Sequence, residues 1–323
     1  MRATRTSARN VAPVEVVHID DVDVPGDAVV TSGVFDGVHV GHQELLRRGR
    51  ALADERALPF RVLLFDRHPA TVVRPATAPH LLTDLRQRCD LLSRAGVDMV
   101  GVLRFDEERS LQAPADFVRE VFVDRLGARS VVVGDDYHFG HRRRGDATLM
   151  SELGPDLDMK VVSVPLVPAA DGEGVVSSTL IRELLRAGEL DRANALLGRP
   201  HEVRGIVEHG DARGRTIGFP TANVAVAGDI LLPQDGVYAG WYVRQDGSVH
   251  PAAVNVGRRP TFYDENGLLL VEAHLIDFDD DLYGERASVR FSHRLRDERK
   301  FGGIDELKAQ LQLDVAAARE ALA

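Results

Sequence analysis

A change of hydrophobic period near residue 200 constrains this chain more than any other feature. Before it, short apolar runs alternate with stretches whose apolar residues recur at helical spacing. Ala28–Ser32, Phe60–Phe65, Val97–Leu103, Ser130–Val133 and Val161–Leu166 read as strands, and Gln43–Leu52, Leu81–Ala95, Ala115–Leu126 and Ser178–Ala187 as helices. That alternation predicts an α/β domain with a parallel sheet covered on both faces. After it come close-set β-rich runs, Glu202–Glu208, Ala222–Val226, Val237–Val243, Ala252–Val256, Leu268–Ile276 and Ala287–Phe291, punctuated by Gly, Pro and Asp. Their spacing predicts a small antiparallel barrel or sandwich. A helical pattern over Ile304–Leu322 follows.

The 323 residues suit two domains. The expected division is a disordered tail over residues 1–12, one domain over 13–186 and a second over 187–323, with Gly198-Arg199-Pro200 as a stop signal. The net charge of −10 argues against a nucleic-acid partner. No run approaches the ~18 apolar residues of a membrane helix, so no membrane partner is expected. Met1–Asn10 is basic but lacks the apolar stretch of a secretory signal. The single cysteine, Cys89, permits no internal disulfide and suits a reducing, cytoplasmic setting. It sits in a helical pattern and reads as a small filler. A homo-oligomer is neither required nor excluded by the residues.

The sharpest local signal is Gly33-Val-Phe35-Asp36-Gly-Val-His39-Val-Gly41-His42, between a predicted strand and a predicted helix. Glycines permit a tight turn and close approach to a phosphate, and a helix N-terminus offers free N–H groups to an anion. Two imidazoles three residues apart share one side of the first turn. They suit a triphosphate, a metal, or simply a polar helix start. Three further segments stand at strand ends or open a helix: Phe65-Asp-Arg-His68-Pro69, Val133-Gly-Asp-Asp136-Tyr-His-Phe139-Gly140, and Ser177-Ser178-Thr179-Leu-Ile181-Arg182. In open α/β sheets, ligands gather beyond the carboxyl ends of the strands. The run His141-Arg-Arg-Arg144 reads as a solvated loop.

In the second half, Gly210-Asp-Ala-Arg213-Gly214-Arg-Thr-Ile-Gly218-Phe-Pro220-Thr221-Ala-Asn223 is not a P-loop, because no Gly-Lys-Ser/Thr follows its glycines. It reads either as a flexible hairpin or as a nucleotide site whose hydroxyl and amide oxygens suit Mg²⁺. Glu272 lies on the strand-like run Leu268–Ile276, where a solvent-facing glutamate is the ordinary expectation.

Taken jointly and in order, these segments resemble the bacterial bifunctional riboflavin kinase/FMN adenylyltransferase (FAD synthetase) family. Further matches are Leu232-Pro-Gln-Asp-Gly-Val-Tyr-Ala239, Ala253-Val-Asn255-Val-Gly257-Arg-Arg259-Pro-Thr-Phe262, Val271-Glu272-Ala-His-Leu-Ile-Asp-Phe278 and Arg294-Leu-Arg-Asp-Glu298-Arg-Lys300-Phe301. The resemblance implies an N-terminal Rossmann-like nucleotidylyltransferase domain and a C-terminal antiparallel β-barrel with a terminal helix. It implies phosphorylation of riboflavin by ATP to FMN, then adenylylation of FMN by a second ATP to FAD, with pyrophosphate leaving. His39, His42 and Arg182 would stabilise charge at the α-phosphate, and Glu272 would be the base of the kinase step. Gly33, Phe35, Asp36, Gly41, Ser177, Ser178, Thr179, Gly210, Arg213, Gly214 and Gly218 would meet ATP. His68, Pro69, Asp136, Phe139, Asn255 and Arg259 would meet the flavin, and Thr221 and Asn223 Mg²⁺. The rivals are a His-x-Gly-His transferase with a pantetheine or nicotinamide nucleotide acceptor, and a flavin-binding regulator without catalysis.

Overall fold

The computed structural model describes residues 14–20, 22–209, 217–259 and 268–323. The expected tail over residues 1–12, together with Gly210, Arg213 and Gly214, lies outside them, as does the side chain of Arg259. The described chain forms two compact units. One holds the residues up to Pro79 together with Asp84–Val176, and the other holds His80–Thr83 and Ser177–Ala323.

In the first unit, six parallel strands form one sheet: β1 (Glu15–His18), β2 (Ala28–Ser32), β3 (Phe60–Phe65), β4 (Met99–Leu103), β5 (Ala128–Gly134) and, past the two-residue strands β6 (His138–Phe139) and β7 (Gly145–Asp146), β8 (Lys160–Val164). Their order is β1-β4-β3-β2-β5-β8. The connections carry α1 (Val40–Arg56), α2 (Ala70–Val73), α3 (Leu85–Arg94), α4 (Glu107–Ser110), α5 (Pro114–Phe117) and α6 (Ala147–Leu153). The chain leaves β2 toward β3 on one side and reaches β5 on the other. The switch point of the sheet therefore lies at β2, where ligands bind in open α/β folds.

Strand alternation builds a core on each face. Val30, Leu63, Val131 and Val133 pack with Phe117, Val121 and Phe122 on one side. Val29, Val62, Leu64 and Val132 pack with Leu45, Leu46 and Leu92 on the other. Cys89 is buried in that second core, as a filler should be.

Two of the expected helices differ from the periodicity, and β1, α2, α4 and α6 stand where no element was expected. The helix expected over Leu81–Ala95 begins at Leu85, because the Asp84 carboxylate caps it by accepting from Gln87 N at 2.6 Å. Leu81 instead bridges Ile230 in the second unit. The helix expected over Ala115–Leu126 is α-helical only in α5, and Val118–Arg125 continues as a π-helix.

The second unit opens with α7 (Ser178–Ala187) and α8 (Leu190–Leu197). The Ser177 hydroxyl caps α7 by accepting from Leu180 N at 3.2 Å, and Gly188 ends it at φ 78°. Next come β9 (His201–Glu208), β10 (Ala222–Val226), β11 (Gly236–Val243), β12 (Val249–Arg259), β13 (Leu268–Leu275) and β14 (Arg286–Arg296). They close into an antiparallel barrel ordered β10-β13-β12-β11-β14-β9, so the barrel holds and the sandwich does not. Closure leaves no unpaired sheet edge. The last helix, α9 (Ile304–Ala321), buries Ala318 against Ala239 and Ala253. Buried Asp314 clamps α9 to β14 by accepting two hydrogen bonds from Arg296, at 2.8 and 2.6 Å. No helix among the described residues is long and apolar enough to cross a membrane.

Candidate active sites

The loop after β2 leaves the sheet at its switch point and turns sharply. Phe35, Gly37 and Val38 all stand at positive φ, 48°, 80° and 40°. Glycine adopts that conformation freely, but Phe and β-branched Val do so at a cost of roughly 1–3 kcal/mol each. The surroundings hold them there. The Phe35 ring is fully buried in the core, and Asp36 is buried beside it. Gln43 donates to Val38 O at 2.9 Å, and Arg88, from α3, donates to Val34 O at 2.9 Å.

His39 then caps α1. Its Nδ1 accepts from His42 N at 3.3 Å, which places the proton of the neutral ring on Nε2. The rings of His39 and His42 stack at 3.6 Å, and Phe35 tilts against His42 at 5.0 Å. Gly41 runs close to this pair: a Cβ there would lie 3.2 Å from the His39 ring. The structure thus gathers Gly33, Phe35, Asp36, His39, Gly41 and His42 into one turn at the head of a helix of 17 residues. The first turn of that helix contains no acidic side chain, so its N–H groups suit an anion.

The other predicted residues of this half take separate places. His68 Nδ1 accepts from Ala70 N at 3.0 Å, and Pro69 opens α2. Asp136 is exposed after β5, whereas Phe139 is 6% exposed and packs in the core against Tyr137 and Phe117. Ser177, Ser178, Thr179 and Arg182 belong to the second unit, where Arg182 is buried and donates from Nε to His80 O at 2.7 Å.

In the barrel, register assembles the second group. Glu272 on β13 pairs with Asn223 on β10 and with Asn255 on β12. Val271 and Ala273, which flank Glu272, are fully buried, as are Val224, Val254 and Val256. Strand alternation therefore sends Asn223, Glu272 and Asn255 to the opposite, outer face. Directly paired side chains there stand about 5 Å apart at Cβ. Thr221 is half-buried, two residues before Asn223 and on its face of the strand line. Asn223 is 7% exposed, and its Oδ1 has no hydrogen-bond partner among the described residues. A buried amide oxygen without a donor is a ready ligand for a hard cation. Gly218, at φ 88°, precedes the segment.

Sequence reasoning missed three residues here. Arg88 reads as a surface arginine of an amphipathic helix, yet it is 2% exposed. Glu298 reaches back over Gly257 and accepts from Asn255 Nδ2 at 3.4 Å. A Cβ on Gly257 would lie 2.0 Å from the Glu298 carboxylate, so a larger residue there would push that flexible side chain aside. His274, two residues past Glu272, meets the carbonyl of Pro220. Only the motif in which each stands could have pointed to Glu298 and His274.

Both parts of the chain match known families. The FAD synthetase family model matches residues 22–180, and the riboflavin kinase model matches residues 197–322. A bifunctional riboflavin kinase/FMN adenylyltransferase of Haemophilus influenzae is 38% identical over 90% of this chain and 92% of its own length. The chain belongs to the bifunctional riboflavin kinase/FMN adenylyltransferase family. Relatives of the same name from Escherichia coli K12 and Pseudomonas fluorescens are 38% and 41% identical, each over 90% of this chain and 92% of their own length. A Streptococcus pneumoniae crystal structure, named for a macrolide-efflux protein, superposes with a TM-score of 0.85 at 33% identity, covering 95% of this chain and 99% of that one. In this family the α/β unit corresponds to the FAD synthetase match and the barrel to the riboflavin kinase match.

Proposed function

We propose that the barrel transfers the γ-phosphoryl group of ATP to riboflavin, and that the α/β unit transfers AMP from a second ATP to the FMN so formed. The observation that carries this reading is the row Asn223–Glu272–Asn255 on one barrel face, within a chain whose relatives are named for both activities. In the kinase step the Glu272 carboxylate takes the proton of the ribityl hydroxyl as its oxygen bonds to the γ-phosphorus and ADP leaves. Asn255 orients the flavin beside it, and Arg259 is assigned to the same flavin on the resemblance alone. Gly210, Arg213, Gly214 and Gly218 are assigned to the ATP phosphates on the same ground.

Mg²⁺ suits this face. Thr221 and Asn223 supply hard oxygens, and the Asn223 oxygen is buried without a donor. No group of three or more His, Cys, Asp or Glu side chains among the described residues could hold a metal, so the substrate phosphates would complete the ligand set. When bound, the ion neutralises triphosphate charge.

In the adenylyl step a phosphate oxygen of FMN bonds to the α-phosphorus of ATP, and pyrophosphate leaves. The chain supplies no nucleophile. The Nε2–H of His39, the ring of His42 and the first N–H groups of α1 are the donors that stabilise the developing charge. Ser177–Thr179 and Arg182 are assigned to the same phosphates by their motif. His68, Pro69, Asp136 and Phe139 are assigned to FMN in the same way. A cytoplasmic setting completes the reading, supported by the lone buried cysteine.

The test is to incubate the protein with riboflavin, ATP and Mg²⁺ and to separate the flavins. FMN followed by FAD is the expected result. Unchanged riboflavin would overturn the reading and favour a flavin-binding protein.

A further inference from the structure

His274 stands two residues past Glu272 on β13, so both side chains leave the strand on one face. Its Nδ1 lies 2.8 Å from the carbonyl oxygen of Pro220. A carbonyl only accepts, so Nδ1 carries the proton and donates. The ring also packs against Phe219, with centroids 5.4 Å apart at 60°. The ladder between β10 and β13 runs from Val224–Val271 to Ala222–Ala273. One step further, the register sets Thr221 beside His274, and Pro220, which has no N–H, contributes no donor there. The imidazole therefore takes the place of a backbone rung just where the ladder stops. It holds the peptide immediately before Thr221.

We propose that His274 is a positioning residue of the kinase site, anchoring Pro220 so that the Thr221 hydroxyl and the Asn223 amide oxygen stay beside Glu272. This role rests on the kinase reading of the barrel. It differs from that of Glu272, because His274 acts through the backbone of the ATP-facing segment and not on the hydroxyl proton. Losing the anchor should therefore weaken ATP binding more than it slows the chemical step.

Two substitutions separate the donor from the ring. His274→Phe keeps the packing on Phe219 and removes the N–H, whereas His274→Asn puts an amide N–H near the position of Nδ1. In FMN formation, His274→Phe should raise the KM for ATP about five- to tenfold, the worth of one hydrogen bond, with a much smaller change in kcat. His274→Asn should recover to within about twofold of wild type. The KM for ATP in FAD formation from FMN should not move in either variant. Hydrogen–deuterium exchange in the peptide 219–224 should quicken in the Phe variant and recover in the Asn variant. The proposal is overturned if both variants lose equally, or if the ATP KM rises in both reactions. A wild type that makes no FMN would overturn the kinase reading instead. That failure is told apart from loss of the anchor by the exchange experiment, which does not depend on turnover.

Discussion

The guanidinium of Arg88 donates a 2.9 Å hydrogen bond to the carbonyl oxygen of Val34, and so a buried cation of α3 holds the strained turn that presents His39 and His42. A cation only 2% exposed is costly to desolvate unless its donors are used. Its use here is to keep Phe35 and Val38 in backbone conformations that they would otherwise leave. Arg88→Met keeps most of the volume and removes the donors. We expect unfolding stability to fall by about 1–3 kcal/mol. FAD formation from FMN should fall by about a hundredfold, the scale of a misplaced catalytic group. FMN formation should change little. Steady-state rates of both reactions on the same preparation check this, and an equal loss in both would point to general unfolding.

The two activities should come apart by single substitutions. Glu272→Gln keeps shape and removes the proton acceptor, which should cost FMN formation about 10²–10⁴-fold and leave added FMN convertible to FAD. His42→Ala should do the reverse, because it removes the ring stacked on His39. Separation of flavins after incubation with riboflavin or with FMN measures both. Kinase activity that survives Glu272→Gln would make Glu272 structural.

The barrel should be acid-sensitive through Glu202. Burial acts to raise its carboxyl pKa, but the hydrogen bond from Arg290 and the charge of Arg204 outweigh burial and hold it below the usual carboxylate range. A depressed folded pKa adds stability that is complete above the unfolded value, about 4.3, and is lost as pH falls through the folded one. Glu202 has a side chain only 10% exposed and bridges β9 to β14 through Arg290 at 2.7 Å. Glu202→Gln should cost about 1–3 kcal/mol at neutral pH, because Arg290 and Arg204, both partly exposed, lose a charged hydrogen-bond partner. It should also flatten the loss of stability below pH 4.3. Urea midpoints from pH 3 to 7 give the comparison, and parallel curves for the two proteins would remove Glu202 as the source.

The boundary of the second domain can be placed by fragments. Ile181, Leu184 and Leu185 of α7 are buried, and Gln234 N donates to Leu185 O at 2.9 Å inside the second unit. We propose that a fragment over 177–323 unfolds cooperatively and retains riboflavin phosphorylation. A fragment over 187–323 lacks α7 and should be markedly less stable, since each buried Leu or Ile is worth about 1.5–3 kcal/mol. Thermal unfolding of the two fragments decides it. Equal midpoints would mean that α7 contributes nothing to the barrel unit.

Much of this was legible in the sequence, for local reasons. The strand, turn and helix around Gly33–His42 follow from apolar periodicity and from Gly37, which stands at positive φ, whereas the positive φ of Phe35 and Val38 has no local signal. The helix over Ser178–Ala187 follows from a serine cap at one end and a glycine at the other, and the structure places it over those same residues. The change of period near residue 200 separated a parallel sheet from a barrel because side-chain spacing is set by the local backbone. What tertiary structure alone decided is who meets whom. Period two told which face Glu272 shares, but only the closed ladder set Asn223 on one side of it and Asn255 on the other. Nothing local marks Arg88 as buried, or Leu81 as a partner of Ile230, because both depend on elements distant in sequence. The burial of a charged side chain and the pairing of strands distant in sequence are decided by the packed chain, because the partners that set them are not sequence neighbours.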